Sequence, residues 1–368
     1  MAQQNAAAAF QVTGWSHWAG GLVERHKKLF LTLADIESKV MADALDARPI
    51  EKPIFVTGLA RAGTTIVLEA LAGHPVVGTH RYSDYPFVYL PYWWGELSRS
   101  MLKQDYVATE RAHGDRLAVT PHSPEAMEEA LWMAFFPHLH GKGAHPLLDA
   151  STSNPEFESH YRSHIQKLLL SRGKGRYVSK GNYNISRMAY LQKIFADARF
   201  VIPVRAPEGH IASLMRQHRH FMEGLTGNEK GREHLRRIGH FEFGPEREAI
   251  SVTDMSDVDV LWANGEELRG WARYWAKLYG FVADQMAATD NLQGAALILR
   301  YEDFCAESQA ELSRVFTHAG LDCSADWLQG FARGVSAPSY YKSGFTEADR
   351  AIIRAETADV AQRLGFKL

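Results

Sequence analysis

Gly58 and Gly63 stand five residues apart in the run Pro53-Ile-Phe-Val-Thr57-Gly-Leu-Ala-Arg61-Ala-Gly-Thr64-Thr65-Ile66, the glycine spacing of a loop that cradles phosphate. Small residues suit that task because backbone N–H groups must turn inward and close on phosphate oxygens. A helix starting at Thr64 would add the positive end of its dipole. The loop's one cation, Arg61, sits in its middle. Thr64 stands where a nucleotide-triphosphate loop carries the lysine that reaches the β- and γ-phosphates. The stretch has the means to hold a phosphate but is ill equipped for triphosphate hydrolysis. Taken alone, it is equally compatible with an ordinary βα turn closed by a threonine cap.

Elements on either side would position that loop. Ile54–Thr57 has strand character, and Thr64–Ala72 reads as a helix closed by Gly73 and Pro75. Residues 1–50 read as helix, with Leu22, His26, Leu29, Leu33, Ile36 and Val40 recurring at three to four residues between charges. Ser123-Pro124 followed by glutamates predicts a helix over 123–137, with Ser123 as its N-cap. From residue 176 the pattern alternates. Strands are expected at 177–179, 199–204 and 296–301, helices at 187–195, 207–221 and 310–319. A long amphipathic helix carries Leu268, Trp271, Tyr274, Trp275, Leu278 and Val282. Residues 223–265 are charged and weakly periodic, an insertion or lid. The alternation predicts an α/β fold: a P-loop-type parallel sheet flanked by helices, with additional helical and loop insertions.

Composition narrows the class. Of 368 residues 46% are hydrophobic and 23% charged, which is enough for a large globular core. A net charge of -2 gives no global pull toward nucleic acid or membrane. Two cysteines, Cys305 and Cys323, are too few for a disulfide framework or a zinc site. His138, His140 and His145 lack the carboxylate–histidine spacing of a helical metal site and read as loop, so no metal is expected. No run of 18 apolar residues occurs, and the first nine residues lack a basic segment followed by an apolar one. The expectation is a cytoplasmic protein without a membrane span.

Several stretches together resemble the sulfotransferases that use 3′-phosphoadenosine 5′-phosphosulfate (PAPS), closest to the bacterial carbohydrate-type branch. Gly58-Leu-Ala-Arg-Ala-Gly-Thr-Thr65 is similar to the family's 5′-phosphosulfate loop, with Ala62 in place of its serine. Phe200-Val-Ile-Pro-Val-Arg205, with Ser213 eight residues on, looks like the 3′-phosphate site. Ser179-Lys180-Gly181-Asn182 is similar to the strand-end lysine, and Leu299-Arg-Tyr-Glu-Asp-Phe304 to the "RYEDF" segment. Order and spacing hold across residues 53–320. The resemblance implies one P-loop α/β domain over residues 51–368, with residues 1–50 a helical segment packed on it.

Two phosphates on the donor fit two anion sites, one at a helix start and one on the next βα unit. The resemblance puts Arg61, Ala62, Gly63, Thr64 and Thr65 on the 5′ side, and Arg205 and Ser213 on the 3′-phosphate. Arg61 and Lys180 would be the cations at the sulfonate. A late loop, 336–345, implies Tyr341 and Lys342 as nucleotide contacts. Transfer also needs a base for the acceptor hydroxyl. The family's position matches His80-Arg-Tyr-Ser-Asp84, where Asp84 is the first candidate and His80 the second.

The expected reaction is sulfonate transfer from PAPS to a hydroxyl of a carbohydrate or other small polar acceptor. Aromatic residues at 82–94 and Trp271 with Trp275 are candidates for stacking on it. The alternatives are a P-loop kinase, with Glu302-Asp303 holding Mg²⁺, and a nucleotide-binding protein without catalysis. The missing lysine at Thr64 counts against the kinase. The N-terminal helix is either a homodimer contact or a brace.

Overall fold

The computed structural model describes residues 9–101, 106–111, 117–141, 147–288, 290–336 and 343–367. Five apolar runs become parallel strands: β1 (Ile54–Val56), β2 (Val77–Gly78), β3 (Arg176–Lys180), β4 (Arg199–Val204) and β5 (Ala296–Arg300). They lie in the order β2-β3-β1-β4-β5, with β1 central. Phe55 pairs with Ser179 on one side and Phe200 on the other. Side chains alternate across the sheet as the pleat requires. Ile54, Val56, Val178 and Val201 enter one core, and Phe55, Tyr177, Phe200 and Ile202 the other. All three residues of β1 are fully buried, as a strand covered by helices on both faces must be.

The register brings Thr57, Lys180, Arg205 and Tyr301 to one edge of the sheet, at or just past the carboxyl ends of their strands. In parallel sheets that edge is where ligands bind.

The helices used below are α1 (Gly14–Arg25), α2 (Lys27–Val40), α3 (Thr64–Ala72), α4 (Glu129–Phe135), α5 (Pro155–Arg172), α6 (Pro207–Leu225), α7 (Glu229–Ile238) and α8 (Glu267–Ala288). Other helices, among them Ser308–Ala319 and Glu347–Arg363, complete the layers. No helix among the described residues is long and apolar enough to cross a membrane.

Three sequence expectations change here. On α2 the stripe Leu29, Ile36 and Val40 is the exposed one, and Phe30, Ala34 and Glu37 are buried instead. Glu37 goes inside because Lys167 on α5 meets it at 3.0 Å, also buried, and the backbone N–H of Trp93 donates to it at 2.6 Å. Trp271 and Trp275 on α8 are core side chains, 1% and 0% exposed, and stack on no ligand.

The helix expected from Ser123 begins only at Glu129. Residues 123–125 instead pair with the segment at 80–82: Arg81 bridges Pro124, Tyr82 N–H donates to Ser123 O, and Glu125 N–H donates to His80 O at 3.0 Å. Ser123 accepts from Thr120 N–H and caps a turn, not a helix.

The region 223–265 folds as the end of α6, then α7, then a helix Ser256–Ala263. The N-terminal segment docks on it. Arg237 on α7 pairs with Glu24 at 2.8 Å, and Asn228 donates to Phe10 O at 3.1 Å. Phe10 packs edge-on against Phe221.

Candidate active site

Between β1 and α3 the chain takes a left-handed path at three places: Gly58 at φ 142°, Arg61 at φ 70° and Gly63 at φ 99°. Glycine is required at the last. A Cβ there would lie 2.9 Å from the Tyr301 ring, on a backbone that L side chains rarely adopt. Arg61 takes the same region with a side chain, a strained choice typical of functional loops. Gly63 at the N-cap of α3 makes no side-chain cap, so among the described residues the first N–H groups of the helix are left for an anion.

His210 on α6 braces the loop from below. The indole N–H of Trp275 donates to His210 Nδ1 at 3.2 Å, so the ring proton is on Nε2, which donates to Ala60 O at 2.8 Å. Burial holds this histidine neutral, with its pKa lowered to about 3.

A second cationic position lies beside the loop. Arg205 follows β4, lies over the Tyr301 ring at 4.9 Å and donates to Arg61 O at 3.5 Å. Arg61 Nε donates to Ser213 Oγ on α6 at 3.3 Å. Arg61, Arg205 and Ser213, 152 residues apart at most, thus form one cluster with the loop.

The third group meets at the start of α3. Lys180 Nζ and Arg111 Nη1 each donate to Thr65 Oγ1 at 3.4 Å, which leaves the Thr65 O–H to donate elsewhere. Glu125 lies 3.7 Å from Lys180 and accepts from the Tyr82 hydroxyl. Burial alone would raise the Glu125 pKa, but Lys180 and Arg111 outweigh it and hold the carboxylate below its usual range. The Tyr82 phenol is pushed up by burial and by Glu125, so it stays a donor.

These groups open on a cavity of about 390 Å³, within the usual range for small-molecule sites. Arg61, Thr64, Thr65, Arg111, Glu125 and Lys180 line one part. Phe10 and Val12 from the N-terminal segment, and Leu235 and Ile238 from α7, line another. Two deeper carboxylates are fully engaged. Glu128 accepts from Tyr161, Tyr177 and Ser179 at 2.5, 2.5 and 2.6 Å. Glu129 binds Arg187 through two bonds at 2.7 and 2.8 Å and His140 at 2.6 Å. Despite burial, those partners lower its pKa to about 2.

Of the residues singled out in the sequence, Arg61, Gly63, Thr64, Thr65, Lys180, Arg205 and Ser213 gather at one edge of the sheet. Asp84 and His80 are not among the residues lining the cavity. Asp84 is 5% exposed, ion-paired to Arg172 and bonded to Arg81 N–H at 2.9 Å. His80, 1% exposed, sits between Asp84 and His164, 3.1 Å from each. Both are held inside by partners of their own. Tyr341 and Lys342 lie outside the described residues. Among the described residues, no group of three or more His, Cys, Asp or Glu is arranged to hold a metal ion.

Glu125 and Arg111 were missed from the sequence. Ser-Pro-Glu mimics a helix start, and only the pairing of Pro124 with Arg81 turns Glu125 toward the loop.

The family model described as "Sulfotransferase family" matches residues 53–242. No curated protein sequence matches the chain. Among solved structures, sulfotransferase STF1 from Mycobacterium tuberculosis H37Rv is similar at 17% identity, TM-score 0.49, covering 91% of this chain and 82% of that one. STF9 from Mycobacterium avium is similar at 14% identity, TM-score 0.49, with the same coverages of 91% and 82%. A sulfotransferase from Alicyclobacillus acidocaldarius is similar at 13% identity, TM-score 0.40, covering 86% and 95%.

Proposed function

The chain belongs to the sulfotransferase family, and on that footing we propose that it transfers the sulfonate of PAPS to a hydroxyl of a small acceptor, with Glu125 as general base. The observation that carries this is the meeting of Lys180, Arg111 and Glu125 around Thr65, at the mouth of the phosphate loop.

The residues divide the work as follows. The N–H groups of Gly63, Thr64 and Thr65, with the Thr65 hydroxyl, bind the 5′-phosphate. Arg205, held over the Tyr301 ring, and Ser213 bind the 3′-phosphate through charge-assisted bonds. Lys180 and Arg61 bind the sulfonate oxygens and offset the charge that grows on the leaving phosphate.

Glu125 takes the acceptor proton as the acceptor oxygen forms its bond to sulfur and the bond from sulfur to the phosphate oxygen breaks. The products are the sulfate ester and 3′-phosphoadenosine 5′-phosphate (PAP). In the free protein Lys180 and Arg111 keep Glu125 ionised. A bound sulfonate draws on those same cations, which lifts the basicity of Glu125 when it is needed. The domain division proposed is one catalytic unit from residue 51 onward, with residues 1–50 as a segment packed on it.

Calorimetric titration with PAP, against ATP with Mg²⁺, tests the donor assignment. Micromolar binding of PAP that Lys180→Ala leaves nearly unchanged, with binding of PAPS weakened by the same substitution, is the expected result. Tight ATP–Mg²⁺ binding without PAP binding would sink the assignment.

A further inference from the structure

Residues 14–46 form one bent helical arm. The i to i−4 hydrogen bonds of α1 run on into α2 through His26, and those of α2 into a short helix, Ala42–Asp46, through Met41. On one side α2 packs Phe30, Ala34 and Glu37 against the body. On the other, Leu29, Leu33, Ile36 and Val40 recur at steps of four, three and four residues, the spacing of a coiled-coil seam. Three of these are strongly exposed, Leu29 at 55%, Ile36 at 43% and Val40 at 71%. The helix Trp93–Met101, joined to α2 by the bond from Trp93 N–H to Glu37, leaves Leu97 and Met101 exposed as well. A run of apolar side chains on a surface marks a site of association.

The charges beside the stripe decide what fits it. Arg25 and Lys28 flank its start and Asp43 and Asp46 its end, all four exposed. Among the described residues none of the four enters an ion pair. The strip is therefore basic at one end and acidic at the other. A second copy laid antiparallel would set Leu33 on its Ile36 and Leu29 on its Val40. The same register brings Lys28 to its Asp43 and Arg25 to its Asp46. A two-fold axis builds both halves of such a contact from one strip. Parallel pairing would instead set Lys28 beside Lys28 and Asp43 beside Asp43, like charge against like. An anionic lipid surface would attract the first end and repel the second.

We propose that the chain forms a two-fold dimer through the outer face of α2, the two arms antiparallel, with Leu29, Leu33, Ile36 and Val40 as the seam. None of these residues lines the cavity, so the contact stands independently of the sulfotransferase reading.

Sedimentation equilibrium of the full chain tests this, and twice the chain mass at micromolar loading is the expected result. Ile36→Glu combined with Val40→Glu should raise the dissociation constant at least about 100-fold, two buried apolar side chains at roughly tenfold each. Both positions are exposed in the single chain, so the urea melt of the dissociated variant shows the fold retained. Lys28→Asp should weaken the dimer about tenfold, since the axis makes each reversal act twice, and adding Asp43→Lys should restore it. A chain that stays monomeric at every concentration overturns the proposal. So does a dimer indifferent to Ile36→Glu with Val40→Glu, whose interface must lie elsewhere. A reversal at Lys28 that Asp43→Lys fails to rescue overturns the antiparallel arrangement and the proposal with it.

Discussion

The donor cradle and the acceptor chamber share Glu125, Lys180 and Arg61, yet they are built on different principles. The cradle is made mostly of backbone: a short left-handed loop, an uncapped helix start, and cations delivered by strand ends. Its demands on sequence are local, small residues at fixed places. The chamber is made of side chains from segments far apart in the chain, residues 9–16, 82–85, 125–129, 180–184 and 231–242. Its character follows from which walls meet, and no single stretch encodes that. Anion binding is thus a property of a motif here, and acceptor choice a property of the whole fold.

The largest effect is expected where the halves join. Glu125→Gln should lower kcat by about 10²–10⁴-fold, the usual contribution of a general base, with PAP affinity unchanged. Equal loss of PAP affinity would place Glu125 in the cradle instead. Asp84→Asn is the control: it should reduce stability and leave the pH profile of transfer alone. Because Glu125 is held below its usual range, the acid limb of kcat/KM should lie below about pH 4.5. A limb well above that range would point to a base other than this carboxylate.

Next comes the chamber floor. Arg187 is fully buried, binds Glu129 twice and lies over the Trp132 ring at 4.6 Å. Arg187→Met strands the Glu129 carboxylate and should cost about 3–5 kcal/mol in a urea melt. An unchanged midpoint would mean that His140 alone suffices as partner.

Arg205→Ala should weaken PAP by about 10- to 100-fold, the worth of bonds to a charged group at ~1.5–3 kcal/mol, and spare stability. Loss of acceptor binding with PAP intact would break the division into halves.

A last test separates the halves by acid. His210 titrates at about 3 when folded and at 6.5 unfolded, so between those values the unfolded chain binds more protons. Its stabilisation is complete above about pH 6.5 and drains as pH falls toward 3. Glu129, lowered from 4.5 to about 2, loses its share only between those lower values. Melts from pH 7 to 4 should therefore weaken the support of the cradle before that of the chamber floor. His210→Gln should flatten part of that slope, and an unaltered slope would remove His210 as its source.

Legibility in the sequence followed the same divide. The loop from Gly58 to Thr64 could be read because its glycine spacing is a local signal, whereas Arg205 and Ser213 entered only through the family resemblance. The strands from 176 onward were found because parallel strands read as apolar runs. Glu125 was hidden by Ser123-Pro124, whose helix-start signature is overridden by pairing with Arg81, 43 residues earlier in the chain. The stripe on α2 misled because Glu37 is sent inward by Lys167, a partner 130 residues away that no periodicity reveals. Asp84 was rightly seen as a carboxylate after the loop helix. Its partner Arg172, at the far end of α5, takes it out of the cavity wall.

The contacts that tie α7 to the N-terminal segment, Arg237 to Glu24 and Asn228 to Phe10, involve no residue of the phosphate loop or of Arg205 and Ser213. Two peripheral pieces of chain can therefore exchange side chains with each other while the catalytic edge stays untouched. In evolutionary terms the molecule separates an inherited chemistry from a negotiable clientele. A lineage, or an engineer swapping residues 9–16 together with 229–242, can retarget the enzyme without relearning how to carry sulfonate.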